Sequence, residues 1–173
     1  LALVNTLNDL SKQEKSIRDG LDVFELDLRN MKRTIEKYHL PGLPKEYLEL
    51  FFATSSRIEQ LSQLMNRVKL DMTEITGLNQ TIEDDVEKLD IMTEEIVDNA
   101  QLTEYMIQQA NRYRLEHPEI DTAIQQALEQ FNHFYRYAES LAIIEKALNQ
   151  VDPGSAQRVR DSYQSEKNNS LFF

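Results

Sequence analysis

Few residues in this sequence have types and spacings that do chemistry. Glu36-Lys37-Tyr38-His39 has the Glu-x-x-His spacing of di-iron helix bundles, but those sites use two such motifs and two further glutamates. The other histidines, His117 and His133, follow Arg114 and Gln130 at that spacing. His39 sits beside a loop, reads as a polar helix end, and leaves no metal or cofactor expected. There is no Gly-rich phosphate loop, no Gly-x-Ser-x-Gly elbow and no Cys/His pair. Cys is absent, which removes thiolate nucleophiles, disulfides and Cys-ligated zinc. Carboxylates are abundant, but a run such as Glu83-Asp84-Asp85 reads as a solvated helix face. No catalytic residue emerges, and the expectation is a protein that is not an enzyme.

One stretch stands apart. From Glu83 to Glu104 almost every charge is acidic, Lys88 being the single cation. Then Gln108-Gln109-Ala110-Asn111-Arg112-Tyr113-Arg114 places two arginines around a tyrosine, with amides a turn away. A helix C-terminus explains the arginines through the helix dipole. A binding surface explains them equally, because Arg and Tyr anchor interfaces. Residue chemistry alone leaves both readings open. Asn79 at a core-type position reads as a register-setting polar residue. Asn79-Gln80-Thr81 matches a glycosylation sequon, but its mid-helix place argues against use.

The elements that must carry these residues follow from hydrophobic period. Leu3, Leu7, Leu10, Ile17, Leu21, Phe24, Leu28, Met31 and Ile35 fall on one heptad seam interrupted only by Glu14, which calls for a helix lying along other helices. Pro41-Gly42-Leu43-Pro44 ends it, with Gly42 expected to permit a tight reversal. A second seam keeps register from Tyr47 to Ala110 without a proline, and predicts one helix over 45–114. Two shorter amphipathic segments follow, over 119–135 and 137–151, with the turn between them at Asn132–Arg136. Asp152-Pro153 reads as an N-cap with proline at the first helical position. Weak tetratricopeptide flavour around Tyr137–Pro153 supplies only one imperfect copy of a repeat that needs about three.

The expected architecture is therefore all-α: an extended antiparallel helical bundle of repeats sharing a long continuous helix. Residues 1–83 form a long hairpin, 84–152 a terminal bundle, and 153–173 a short helix with a frayed tail. On this layout the first hairpin lacks a third helix and covers its seam as a homodimer. The balance of 19 Lys+Arg against 30 Asp+Glu, net −11, disfavours nucleic acid and anionic membranes. With 4 Gly and 4 Pro the chain is too poor in turn formers for a β-rich fold, and 40% hydrophobic residues suffice for a core. Leu1 opens the chain inside a periodic pattern, so the sequence reads as a piece of something longer. Leu171-Phe172-Phe173 reads as a docking tail or a segment that folds back.

Ile107 through Arg114, with Val97-Asp98-Asn99-Ala100 upstream and Val151-Asp152-Pro153-Gly154 downstream, resembles the C-terminal part of the EzrA family, septation ring formation regulators of low-GC Gram-positive bacteria. The likeness is specific at 107–114 and compositional along the preceding helices. It implies an N-terminal transmembrane helix, absent here, and a cytoplasmic region of spectrin-like helical repeats. It implies action at the cytoplasmic face of the membrane at the division septum. There the family restrains assembly of the tubulin-like GTPase FtsZ at wrong places and contacts other division proteins. It implies that Gln108, Asn111, Arg112, Tyr113 and Arg114 serve mid-cell recruitment. Gln109 and Ala110 fall where the family looks more variable. The competing reading is a generic spectrin-like or coiled-coil spacer without a binding patch.

Overall fold

The computed structural model describes residues 2–170; the Leu171-Phe172-Phe173 tail lies outside them. The described residues form helices α1 (Ala2–Lys37), α2 (Lys45–Met65), α3 (Met72–Ala110), α4 (Pro118–Asn132), α5 (Tyr137–Val151) and α6 (Ser155–Ser170), with a 3-10 turn at Asn111–Tyr113. No strand occurs among them, so the chain is all-α. It divides into two compact units: α1, α2 and α3 up to Thr93, and the 38–44 segment with everything from Glu94 onward.

In the first unit the apolar seam does what its period demands. Ile17, Leu21, Leu28 and Met31 of α1 are buried, as are Ile58, Leu61, Leu64 and Met65 of α2 and Ile75, Ile82, Val86 and Leu89 of α3. Arg18 Nη2 donates to the Met65 carbonyl at 2.7 Å, setting the middle of α1 against the end of α2. Arg57 pairs with Asp85 at 2.5 Å and the Tyr47 hydroxyl meets Thr93 Oγ1 at 2.6 Å, so α3 runs antiparallel to α2. Gln13 Nε2 reaches Thr76 Oγ1 at 3.5 Å, which puts α3 alongside α1 and parallel to it. The unit is a three-helix bundle.

That geometry corrects two expectations. The helix foreseen over 45–114 stops at Met65 and restarts at Met72. Asn66 and Arg67 donate backward to the Gln63 and Leu64 carbonyls at 3.2 and 3.4 Å, in tightened terminal turns. Asp71 then caps the new helix, its Oδ1 accepting from the Glu74 amide at 3.3 Å, in the Asp-x-x-Glu arrangement of a helix start. The heptad register passes through this break unchanged, which is why periodicity concealed it; Val68, a seam position, is fully exposed. The third helix of the bundle is α3 itself. Leu3, Leu7 and Leu10 remain exposed on α1.

The second unit is built on the α4–α5 hairpin. Its core gathers Met106 and Ala110 of α3, Ile120, Ile124 and Ala127 of α4, and Leu141, Ile144 and Leu148 of α5. Small residues let α4 and α5 approach, and Ser140 Oγ donates to the Ala127 carbonyl at 2.6 Å across them. The 38–44 segment takes its left-handed residue at His39 (φ 50°), not at Gly42. Gly42 is needed for space: a Cβ there would lie 2.4–2.6 Å from ring atoms of Tyr135. The Tyr137 hydroxyl donates to the Gly42 carbonyl at 2.5 Å, and burial pushes that phenol up to about 12.

Asp152-Pro153 does not open α6 as expected. The helix begins at Ser155, after Gly154 at φ 83°, and its Ala156 amide is capped by Asn149 Oδ1 at 3.1 Å. Asp152 is thereby released for another task. The polar residues 165–170, expected to fray, lie within α6, where Lys167 pairs with Asp98 at 3.3 Å.

Candidate protein-docking site

The end of α3 sorts the residues of 106–115 by direction. Met106 and Ala110 point into the core, and Tyr113 follows them, half-buried against the same cluster. Gln108, Asn111, Arg112, Arg114 and Leu115 are exposed. The α-helix turns about 100° per residue and the 3-10 turn about 120°, so 108, 111, 112 and 115 stay on the side away from the core. The chain leaves helical geometry because Pro118 forces His117 into extended backbone, φ −131° and ψ 93°. The Arg114 amide returns to the Asn111 carbonyl at 3.3 Å and the His117 amide to Tyr113 at 2.9 Å.

Two side chains of the stretch hold the turn in place. The Tyr113 hydroxyl donates to Asp152 Oδ2 at 3.0 Å, and Arg158 Nη2 donates to the same oxygen at 2.9 Å. The Tyr113 hydrogen bond, and then Arg158, hold the Asp152 carboxyl below its ordinary value. The same bond, with burial second, raises the Tyr113 phenol. Arg114 pairs with Asp121 of α4. The 107–114 and 151–154 segments, separate in sequence, thus meet through Tyr113 and Asp152.

The other side chains are presented outward. Arg112 Nη2 donates to Gln109 Oε1 at 2.5 Å, a neutral partner, and no ion pair compensates its charge among the described residues. Gln108 and Asn111 make no side-chain hydrogen bond among the described residues. Leu115, 98% exposed, adds apolar surface beside them. Sequence reasoning missed Leu115, Asp121, Asp152 and Arg158. Asp152 carried a usable signal, since it falls in the 151–154 segment, but its pairing with proline pointed to a helix cap.

Among the described residues no group of three His, Asp or Glu could hold a metal, and no helix is long and apolar enough to cross a membrane. What the turn presents to solvent is one guanidinium, two amides and a leucine, on a module built entirely of helices.

The particular family follows from comparison with known proteins. The model of the family described as "Septation ring formation regulator, EzrA" matches residues 2–163. Septation ring formation regulator EzrA of Enterococcus faecalis is 42% identical over 164 residues, 95% of this chain and 28% of that protein. The Streptococcus sanguinis protein of the same name is 34% identical over 172 residues, covering 99% of this chain and 30% of its own length. That of Lactiplantibacillus plantarum is 34% identical over 167 residues, 96% of this chain and 29% of that protein. No solved structure matches. The chain belongs to the EzrA family of septation ring formation regulators, and spans under a third of the length of these relatives.

Proposed function

We propose that this chain is a docking part of a cell-division regulator. It brings that regulator to the septum, at the cytoplasmic face of the membrane, where it restrains FtsZ ring assembly at wrong sites and gathers other division proteins. It acts by binding, spacing and steric exclusion, without catalysis. The membrane anchor belongs to a segment outside these residues.

The observation that carries this reading is the division of labour at the end of α3. Tyr113 and Arg114 are engaged with Asp152 and Asp121, while Gln108, Asn111 and Arg112 face solvent. An uncompensated guanidinium with two flanking amides offers a charge and an orientation to a partner. A spacer has no use for that arrangement.

The test compares the chain with its Gln108→Ala/Asn111→Ala/Arg112→Ala variant, matched by circular dichroism, for binding to purified FtsZ and to other purified division proteins. The same substitutions are placed in the tagged protein in dividing cells. Loss of binding to at least one division protein, with loss of the mid-cell signal, is the expected result. Equal binding and normal localisation would make the segment a spacer.

A further inference from the structure

The stretch that ends α3 has a counterpart 45 residues earlier, at the end of α2. Gln63, Asn66 and Arg67 repeat Gln108, Asn111 and Arg112 at the same spacing, and Lys69 stands where Arg114 does. The place in the fold repeats as well. α2 ends at Met65 and α3 at Ala110, each a buried residue immediately before the Asn. In both stretches Gln, Asn, Arg and the closing basic residue are exposed.

The helix dipole accounts for one cation in a last turn. The last turn of α2 holds no basic residue: Arg67 and Lys69 both lie beyond Met65, with Val68 fully exposed between them. Neither Arg67 nor Lys69 has an ion pair or hydrogen-bonded side-chain partner among the described residues. Two uncompensated cations within three residues are a local positive spot on a chain of net charge −11.

We infer that the α2–α3 turn is a second docking site of the same kind, taking an acidic segment of a partner protein on Asn66, Arg67 and Lys69. This rests on reading the end of α3 as a docking surface. Phosphate-rich partners fit poorly: two cations are few for a polyanion, Asp71 and Glu74 follow at once, and the net charge repels it. A short acidic stretch of a protein carries fewer charges than a polyanion, so two cations can match it and the repulsion it meets is smaller.

A random peptide library displayed on phage, selected against the intact chain, supplies the probe, and the selected peptide is titrated into 15N-labelled chain. The expected peptide is rich in Asp and Glu and shifts the amide signals of both 63–69 and 108–114. Arg67→Gln/Lys69→Gln is expected to weaken binding roughly tenfold at 63–69 alone. Arg112→Gln is expected to act at 108–114 alone, both variants keeping wild-type circular dichroism. Shifts confined to 108–114 would overturn the second site and leave the first standing. Shifts confined to 63–69, or at neither turn, would overturn the equivalence together with the reading it rests on. Phosphatidylglycerol vesicles that displace the peptide from 63–69 would assign that turn to lipid and overturn the inference too.

Discussion

Gly42 gives the sharpest test of how the second unit is packed. Adding a single methyl by Gly42→Ala would place Cβ 2.4–2.6 Å from three atoms of the Tyr135 ring, more than 1 Å inside normal contact. The ring cannot yield freely, because Tyr135 is held at φ 56° and half-buried in a turn whose Arg136 amide donates to the Gln130 carbonyl at 2.9 Å. Moving the 38–44 segment instead stretches the bond from Tyr137 to the Gly42 carbonyl. Overpacking of this kind costs about 1–3 kcal/mol, which lowers Tm by roughly 2–4 °C per kcal/mol in a chain of this size. Tyr135→Gly removes the ring and suits the left-handed backbone. In the double variant most of the Gly42→Ala penalty should vanish, a coupling of about 1 kcal/mol or more. Thermal and urea unfolding of the four proteins give the cycle. A Gly42→Ala cost below about 0.5 kcal/mol, or a cost unchanged by Tyr135→Gly, would refute the packing argument.

Three further outcomes are expected. Asp71→Ala removes the cap of α3 and should cost about 1 kcal/mol, with hydrogen exchange rising at the Glu74 amide; unchanged exchange there would show that the cap is idle. Asp152 has a lowered pKa, so its contribution is complete above the ordinary carboxyl range and is lost as pH falls through the lowered value. Tyr113 has a raised pKa, so its contribution is complete below the ordinary phenol range and is lost as pH climbs through the raised value. Asp152→Asn should accordingly bring the ultraviolet titration of Tyr113 back toward that of a free tyrosine, and an unmoved titration would contradict the clamp. Light scattering at high concentration should report a dimer paired through the exposed Leu3, Leu7 and Leu10 stripe. Leu3→Ser/Leu7→Ser/Leu10→Ser should make it monomeric, and a monomeric unsubstituted chain would exclude that pairing.

The sequence made the helices legible because their seams are long and regular, and it located the turn after Asn132 because amphipathic period lapses there. It hid the 66–71 break because residues 65, 68, 72 and 75 keep a heptad step across it. Only Asp71 and Glu74 mark the new start, and a capping pair counts for little against sixty residues of unbroken register. Gly42 misled in a similar way: a glycine beside prolines advertises a turn, whereas the ring that demands its small size belongs to a residue far along the chain. The 108–114 stretch was visible as a change of charge after an acidic run. Which of its side chains hold the turn and which are presented was not visible, since Asp121 and Asp152 choose that, and they reach it only through folding.

That choice has an energetic consequence. A long side chain ordered only on binding costs about 0.5–1.5 kcal/mol of affinity. Arg114, fixed on Asp121, and Tyr113, fixed on Asp152, incur this cost during folding, so under the proposed docking role the turn would meet a partner already shaped. Asp121→Asn keeps the size of the side chain, removes its charge and touches no residue on the presented side. Freed in this way, Arg114 should weaken partner binding roughly two- to tenfold, with circular dichroism unchanged and with no added loss when Arg114→Ala is combined with it. Isothermal titration of the two single variants and the double variant against a division protein captured by the chain separates the possibilities. Additive losses would mean that Arg114 contacts the partner directly and that Asp121 has no part in positioning it.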